Sequence, residues 1–533
     1  MAKILQALSI ITRHLAEGGC SRQTDLMSTL VGPQFIDAHG NVLDRLGCDH
    51  GRIFVPDGAI KQLPGALAVP GLCDSHLHLM GMGWVIDQVD LMGCDSIAQV
   101  RERISEWLVQ NPDAHAVRGR SWNHTRFRDQ RLPCAADLEG LTDKPIYLTR
   151  QDGHACWVNQ RLLDEAGIDA RTQDPFGGLV VRDVQGRATG VLVDTAMPFV
   201  ARILPEPTRR EVARWLQEGI RRCVSAGLTA VHDVDVPLAS FYELERLDAA
   251  GQLPMRVFCY LRDEPESWRL LEERGFRWQG AGGRLTLMGI KFFADGALGS
   301  HGAAMLCNYC NDPSRGLVLL SDEDLVERMT RCQRMGFQSA THAIGDAANR
   351  SVIRAIEAAQ QGDRRLRHRI EHTQIVSLDD FEALAQTGAI ASMQPVHGTS
   401  DMAWAEAWIG LDRLMGSYAW QRMQTHGVPM AFGSDAPVEP VCPRAGLQAA
   451  WTGHSPDGGA PKPWLKPHCL DFAGSLAGFT SGAAYAVHLE HEFGRFEPGF
   501  CADLTLLSAD PRSLERGWLD VEVQGTVLDG ESV

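Results

Sequence analysis

Short apolar runs alternate with longer amphipathic stretches through most of the chain. The stretches repeat apolar side chains every three or four residues, which is typical of helices packed on one face, and several end at a glycine. The runs predict strands at residues 67–78, 228–234, 255–261, 285–293, 337–342, 369–372, 389–393 and 429–434. The stretches predict helices at residues 208–226, 238–250, 266–274, 322–335, 347–361, 378–387 and within 411–426.

Eight strands that alternate with helices predict an α/β fold, a closed (β/α)₈ TIM-like barrel over residues 67–486. The alternative is an open, doubly wound parallel sheet. That fold normally carries a glycine-rich phosphate loop, and the nearest candidate, Gly81-Met82-Gly83, lacks the third glycine. The pattern therefore favours the barrel.

Two other regions do not follow the alternation. Residues 95–205 are too many for an ordinary loop after the first strand, so they predict an inserted subdomain with a helix at 96–110. Its polar and aromatic runs contain Trp122, His154 and Trp157, which fit either a pocket wall or the packed core of the subdomain. Residues 1–66, with a helix at 2–15, and residues 487–533, with strands at 502–507 and 521–528, predict one small β domain built from both chain ends.

Composition and charge exclude some classes of function. The chain has 533 residues and a formal net charge of −16, which argues against a nucleic-acid partner because such proteins concentrate Lys and Arg. Its 14 cysteines are scattered, as expected of reduced thiols in a large intracellular protein. We find no signal-peptide pattern and no apolar run long enough for a membrane span, so we expect a cytoplasmic protein.

Candidate chemistry lies at the ends of the predicted strands. His76 and His78 end the first strand, and the period of two along a strand turns both imidazoles the same way. Catalytic groups of α/β barrels lie at the carboxyl ends of the strands. Five of the predicted strands carry candidate catalytic groups at or just after their carboxyl ends. The six residues are His76, His78, Lys291, His342, His372 and Asp435. A set of imidazoles and a carboxylate suits Zn²⁺ or a similar divalent ion.

Each of these residues also has an ordinary structural use. Lys291 could extend its ammonium to the surface, His342 and His372 could be hydrogen-bonded core residues, and a turn could account for an aspartate between Ser434 and Ala436. Independent structural uses have no reason to coincide at one face of a barrel, which favours the metal site. His232 and His397 also lie near strand ends, and packing is their simpler use.

The chain resembles the amidohydrolase superfamily, specifically the amidohydrolase-3 branch that includes N-substituted formamide deformylases. The resemblance rests on residues 70–78, 151–159, 289–300, 341–349, 369–374, 392–397, 432–440 and 494–507. It implies a metal-dependent hydrolase of C–N bonds, in a barrel flanked by a β-sandwich. It further implies that His76 and His78 bind a first metal and that His342 and His372 bind a second.

The resemblance also assigns the remaining two residues. It implies that Lys291 is a candidate for carbamylation, with the carbamate oxygens bridging two metals, and that Asp435 binds metal and moves protons. A protonated lysine has no lone pair for a metal, whereas a carbamate offers two oxygens. The hypothesis that follows is hydrolysis of a small molecule by a metal-activated water, with Asp435 carrying the proton from that water to the leaving nitrogen.

Other functions stay open from the sequence. The same centre could hydrolyse a lactone or a phosphoester, and related barrels also serve as non-catalytic scaffold proteins that lack a complete ligand set. The number of ions, one or two, and a homo-oligomeric state are open as well. The expected partner is a small-molecule substrate, without nucleic acid or membrane.

Overall fold

The computed structural model describes residues 28–54, 59–275 and 277–533. The helix predicted at residues 2–15 lies outside them. Strands of the described residues form three sheets, which are a parallel barrel, a mixed sheet built from both chain ends, and a sheet within the insertion.

The barrel follows the predicted alternation. Among the described residues, eight parallel strands pair in the order in which they occur along the chain. Leu77 of the first strand forms a parallel bridge with Ala436, which follows the last strand, so the sheet closes nearly into a barrel and the TIM-like prediction is confirmed. The strands are Leu72–Leu77, Leu228–Val236, Arg256–Arg262, Leu285–Phe293, Gln338–Ala343, Arg369–His372, Ile390–Met393 and Met430–Phe432.

The apolar run at residues 67–78 is not one strand, as the sequence predicted, but two. Leu67–Pro70 belongs to the sheet of the chain ends, and Leu72–Leu77 begins the barrel. Gly71 lies between them, where a Cβ would stand 2.2 Å from Thr229 Oγ1 and 2.9 Å from Asp503 Cβ. The chain therefore crosses from one sheet to the other where only a glycine fits.

Hydrogen bonding joins strands from both chain ends into one sheet. Leu504–Leu507 pairs antiparallel with Leu67–Pro70, which in turn pairs parallel with Ser28–Ile36. Side chains from both ends, among them Leu30 and Val527, pack in one hydrophobic cluster. The strands of this sheet are Ser28–Ile36, Val42–Asp49, Arg52–Phe54, Ala59–Gln62, Leu67–Pro70, Leu504–Leu507, Val523–Leu528 and Glu531–Ser532.

The insertion has its own sheet and its own core. Helix Ile97–Gln110 packs on the sheet, and Trp122 and Trp157 are fully buried beneath it. Of the two uses that the sequence left open for these tryptophans, the structure shows the packed core. The strands are Val89–Asp90, Val117–Trp122, Ile146–Arg150, Ala155–Val158, Gly178–Arg182 and Ala188–Asp194.

The barrel helices cover the strands with apolar faces. Helix Arg209–Ser225 begins at a capping box in which Thr208 N donates to Glu211 Oε2 at 2.7 Å, and it buries Leu216 and Ile220. The α-helices of the described residues are Leu79–Trp84, Ile97–Gln110, Gln160–Ala166, Pro198–Ala201, Arg209–Ser225, Leu238–Ala249, Pro265–Arg274, Asp322–Met335, Asp346–Gln360, Phe381–Thr387, Pro395–Asp401, Ala405–Leu414, Trp420–Thr425, Pro443–Thr452, Phe472–Gly478 and Ser481–Ala486.

The helix predicted within residues 411–426 is interrupted. The chain leaves Ala405–Leu414 and begins Trp420–Thr425 only after Gly416, where a Cβ would stand 1.9 Å from Val376 O. No helix among the described residues is both long enough and apolar enough to cross a membrane.

Candidate active site

The six residues predicted from the sequence line one cavity. It has a volume of about 760 Å³ and opens at the carboxyl ends of the barrel strands, between the barrel and the inserted subdomain. The structure therefore brings together side chains from five strand ends that are far apart in the chain, namely His76, His78, Lys291, His342, His372 and Asp435.

The cavity lies against the seam where the barrel closes. Asp435 N donates to His76 O at 2.7 Å, and His78 N donates to Ala436 O at 2.8 Å. The buried carboxylate of Asp74 reinforces this seam by accepting from the backbone N–H groups of His76 and Ser434. The backbone bonds that join the first and last strands thus come from residues of the candidate site.

Three ligand atoms converge at this seam. Asp435 Oδ1 lies 3.4 Å from His76 Nε2 and 3.2 Å from His78 Nε2. Two ligands at about 2.0–2.1 Å on a tetrahedral ion would be roughly 3.3–3.4 Å apart. His76 Nε2 is buried and has no hydrogen-bond partner among the described residues. The spacing and the unpartnered nitrogen both fit a divalent ion.

The other ring nitrogen of each histidine has a partner that sets its orientation. His76 Nδ1 lies 2.6 Å from Glu371 Oε2, and His78 Nδ1 lies 2.8 Å from Val234 O. An acceptor at Nδ1 holds the proton there and leaves the Nε2 lone pair free for a metal. The two imidazoles are therefore oriented as ligands by the barrel itself.

Glu371 belongs to a buried polar network centred on Arg369. Arg369 Nε donates to Glu371 Oε1 at 2.8 Å, and both side chains are fully buried. The guanidinium also bonds to groups on the first, second, third and seventh barrel strands, which makes it a hub inside the barrel; these are Ser75 O, His232 Nδ1, Tyr260 Oη and Ser392 Oγ.

A second candidate group shares Asp435. The ligand atoms of His372, His397 and Asp435 lie within 4.8 Å of one another, and His372 Nδ1 is held by Gln394 Oε1 at 2.7 Å. Among the described residues, His342 is in neither group whose ligand atoms meet this spacing. Its ring centroid is 4.4 Å from that of His372, but its Nε2 turns toward Gly296 O at 3.4 Å.

Lys291 lies in the barrel between these groups. It is 1% exposed, its Nζ lies 4.9 Å from the centroid of the Phe293 ring, and no carboxylate of the described residues comes within 4.0 Å of that nitrogen. Burial lowers the pKa of Lys291, although Glu371 and Asp435 act in the opposite direction. A buried lysine without a counter-ion fits an amine that is modified or neutral.

The charges of the site fit metal binding. Burial alone would raise the pKa of Asp435, but the facing His76 and His78 hold it well below its usual range, so the carboxylate is ionised. Burial lowers the pKa of His342 and His372 well below the ordinary value, so both imidazoles are neutral. The carboxylate and these two imidazoles are therefore in the forms that bind metal. Burial acts to lower the pKa of His78, but the contact with Asp435 raises it above its ordinary value, so a metal would displace a proton from that imidazole.

Two further polar residues belong to the site, of which the sequence offered His154 as a pocket-wall residue and did not single out Asp295. Asp295 accepts from the N–H groups of Ile344 and Gly345 and stands 3.6 Å from His342 Nε2. His154 of the insertion reaches the cavity, with its Nδ1 2.6 Å from Asp194 Oδ1 and its ring centroid 4.9 Å from that of His342. The insertion thus forms part of the cavity wall.

Arg369 and Glu371 could have been found by their spacing. Residues two apart on a strand face the same side, so both share the inward face of Arg369–His372. His397 follows a strand end in the same way as the predicted ligands, whereas His232 proves to be a packing residue that accepts from Arg369.

The fold and the site together define a class, the TIM-like barrels with an imidazole–carboxylate centre at the carboxyl ends of the strands. The sequence profile of the amidohydrolase family matches residues 62–533. The chain belongs to the amidohydrolase family, and it is a hydrolase.

Relatives and solved structures agree with this assignment. The chain is 33% identical to YtcJ of Bacillus subtilis (strain 168), over 90% of this chain and 91% of that protein. It is 26% identical to the N-substituted formamide deformylase of Arthrobacter pascens, over 96% and 98% of the two chains. The crystal structure of an uncharacterized metal-dependent hydrolase from Pyrococcus horikoshii OT3 superimposes with a TM-score of 0.75 at 25% identity, covering 92% of this chain and 99% of that one.

Proposed function

We propose that the protein hydrolyses a non-peptide, amide-type C–N bond of a small molecule by a metal-activated water. The observation that carries the proposal is the convergence of His76 Nε2, His78 Nε2 and Asp435 Oδ1 at the spacing of metal ligands, beside a cavity large enough for a small molecule. Family membership supports hydrolysis, and the relative from A. pascens that is named a formamide deformylase supports the choice of a C–N bond.

The proposed cofactor is a divalent metal, with Zn²⁺ as the first choice and one or two ions. His76, His78 and Asp435 would hold the first ion. His372 would bind a second ion. We include His397 as a further ligand because its ligand atom lies close to those of His372 and Asp435, and we keep His342 because the family resemblance implies it. The P. horikoshii relative, described as a metal-dependent hydrolase, supports a metal. Carbamylation of Lys291 is supported by the burial of its unpaired amine.

The mechanism assigns separate tasks to the residues of this chain. A bound divalent ion would supply a Lewis acid for the substrate carbonyl and lower the pKa of a water to about 7. The ionised Asp435 carboxylate accepts a proton from the attacking water and passes it to the leaving nitrogen. Glu371 and Arg369 hold His76 in place, and His154 of the insertion lines the cavity beside His342.

The proposal extends to location and partners. We place the enzyme in the cytoplasm, supported by the free thiols of all the cysteines that the structure describes. A small-molecule substrate remains the proposed partner, with no nucleic acid and no membrane.

A substrate panel tests the proposal. Purified protein loaded with Zn²⁺ or Mn²⁺ is assayed on N-formyl amines, N-acyl amino acids, lactones and phosphotriesters, and metal content is measured in parallel. We expect near-stoichiometric metal and cleavage of amides. Cleavage of the esters alone would overturn the bond class, and absence of bound metal from an active protein would overturn the mechanism.

A further inference from the structure

The ion pairs along the cavity wall leave one guanidinium unmatched. Three arginines of the wall each have a carboxylate partner, and these pairs are Arg150 with Asp152, Arg262 with Asp235 and Arg328 with Asp263. Arg120 also lines the cavity, but within the described residues no carboxylate oxygen lies within 4.0 Å of it. The one hydrogen bond of its guanidinium to those residues goes to a backbone carbonyl, Pro437 O.

An unmatched cation in this position is unfavourable without a ligand. Burial lowers the pKa of Arg120, and the opposing influence of Asp90 comes from beyond contact distance. A guanidinium has five N–H donors, of which one carbonyl can occupy only a part. Carboxylates match this donor geometry through paired hydrogen bonds. The remaining donors therefore suit an anionic group that enters the cavity.

The next residue adds a second donor. Neighbouring residues of a strand normally face opposite sides, but the pairing of Val117–Trp122 with Ile146–Arg150 is irregular between Arg120 and Trp122, and Ser121 has a φ of +68°. Ser121 lines the cavity as well, is 2% exposed, and its Oγ has no hydrogen-bond partner among the described residues. This hydroxyl is therefore available to donate to a ligand in the cavity beside Arg120.

The contact between Arg120 and Pro437 O relates this pair of donors to the reaction. Pro437 lies two residues beyond Asp435, the residue assigned to protonate the leaving nitrogen. The contact therefore holds the guanidinium beside the segment that carries Asp435, where the leaving nitrogen is protonated in the proposed mechanism. The same cavity has an apolar wall that could receive a hydrophobic side chain, formed by Met80, Trp84, Met197, Phe293, Leu319 and Leu320.

We propose that Arg120 and Ser121 form a carboxylate-binding subsite, and that the substrates are N-acyl amino acids with apolar side chains rather than uncharged N-substituted amides. This inference rests on the proposed amide hydrolysis. Arg120 binds the carboxylate and Ser121 donates a further hydrogen bond, so that the scissile amide is presented to the centre at His76, His78 and Asp435.

The test compares two probes that differ only in the anion. These are N-acetylphenylalanine, as either enantiomer, and N-acetylphenethylamine, which lacks the carboxylate. We expect wild-type kcat/KM to favour the carboxylate at least tenfold. Arg120→Gln should reduce that preference roughly 10- to 100-fold, the range expected for loss of a charged hydrogen bond, mainly through KM. Arg120→Lys should restore part of it.

A matched control uses Arg118→Gln, since Arg118 lies two residues before Arg120 on the same strand and also donates to a backbone carbonyl, Pro205 O at 2.7 Å, but does not line the cavity. We expect it to leave the preference unchanged. Equal cleavage of both probes by the wild-type enzyme overturns the subsite while leaving the proposed function intact, and it needs no variant to fold. Failure of the wild-type enzyme to cleave any amide overturns the proposed function itself.

Discussion

Replacing Glu371 by Gln tests whether the buried network holds the candidate metal site together. The wild-type carboxylate faces His76 Nδ1 at 2.6 Å through Oε2 and accepts from Arg369 Nε at 2.8 Å through Oε1. A glutamine keeps the shape but offers one oxygen and an NH₂ group. In one of the two contacts, the glutamine NH₂ group would therefore face another N–H donor, either that of His76 or that of Arg369.

Two magnitudes follow from these contacts. The guanidinium of Arg369 would remain fully buried without a counter-ion, and breaking a buried pair in this way costs about 3–5 kcal/mol of unfolding free energy. His76 would lose the acceptor that orients its Nε2, and loss of such a partner lowers metal affinity by roughly 10- to 100-fold. Both effects should appear in one variant.

Two assays separate these effects. Urea unfolding of the metal-free protein measures stability, and competition with a chelator measures Zn²⁺ affinity. The matched control is Asp503→Asn, because Asp503 is buried and paired with Arg256 at 2.5 Å but does not line the cavity. We expect the control to lose stability and keep its Zn²⁺ affinity, whereas Glu371→Gln loses both.

The reasoning would be refuted by a folded Glu371→Gln protein that binds Zn²⁺ within twofold of wild type. His76 would then not depend on Glu371 for its orientation. Unfolding of the variant at the wild-type urea midpoint would likewise show that the Arg369 charge is compensated by its other partners.

Three further substitutions probe the site, a half-buried acid and the packing behind the first strand. Asp435→Asn keeps a side-chain oxygen that can bind metal, so it should retain most metal by elemental analysis but lose turnover, and full activity would remove its role in proton transfer. Burial raises the pKa of Asp401 to about 7, although the Tyr418 hydroxyl donates to it. The folded state then binds more protons than the unfolded state between pH 3.8 and about 7, so this acid lowers stability as pH rises through that window. As the pH rises from 5 to 8, the unfolding free energy of Asp401→Asn should therefore increase by on the order of 2 kcal/mol relative to that of the wild type, as measured by urea unfolding. A difference in unfolding free energy that does not change with pH would contradict the raised pKa of Asp401. A Cβ on Gly83 would stand 1.7 Å from Trp215 O. Gly83→Ala should therefore be destabilised by about 1–3 kcal/mol through overpacking, which would lower the midpoint of thermal unfolding. The control, Gly93→Ala, has open space at its Cβ position and should show only the cost of its positive φ.

The barrel could be predicted from the sequence because its strands are continuous apolar runs with glycines after the helices. The strands at residues 285–293 and 369–372 have the predicted bounds. Periodicity cannot tell which sheet a strand joins, so the run at residues 67–78 was predicted as one strand although Gly71 divides it between two sheets.

The candidate site was predictable where it follows from strand ends, and less so elsewhere. The structure brings the six predicted side chains to one cavity, since parallel strands all end on one side of a barrel. The Arg369–Glu371 pair was missed because charged residues are normally exposed, and only closure of the barrel makes their face an interior. Arg120 and Ser121 were missed because their position depends on a strand irregularity that leaves no clear signal in the sequence.

The seam between His76–His78 and Asp435–Ala436 has a consequence for how the protein matures. Its partners are separated by nearly the whole barrel sequence, so the loop closed by these bonds is among the longest in the chain and has a large entropic cost. A ribosome-bound or truncated chain that lacks the last strand would present two histidines without their carboxylate. Under the proposed function, high-affinity metal binding would therefore be coupled to completion of the barrel, and a bound ion would join its first and last strands.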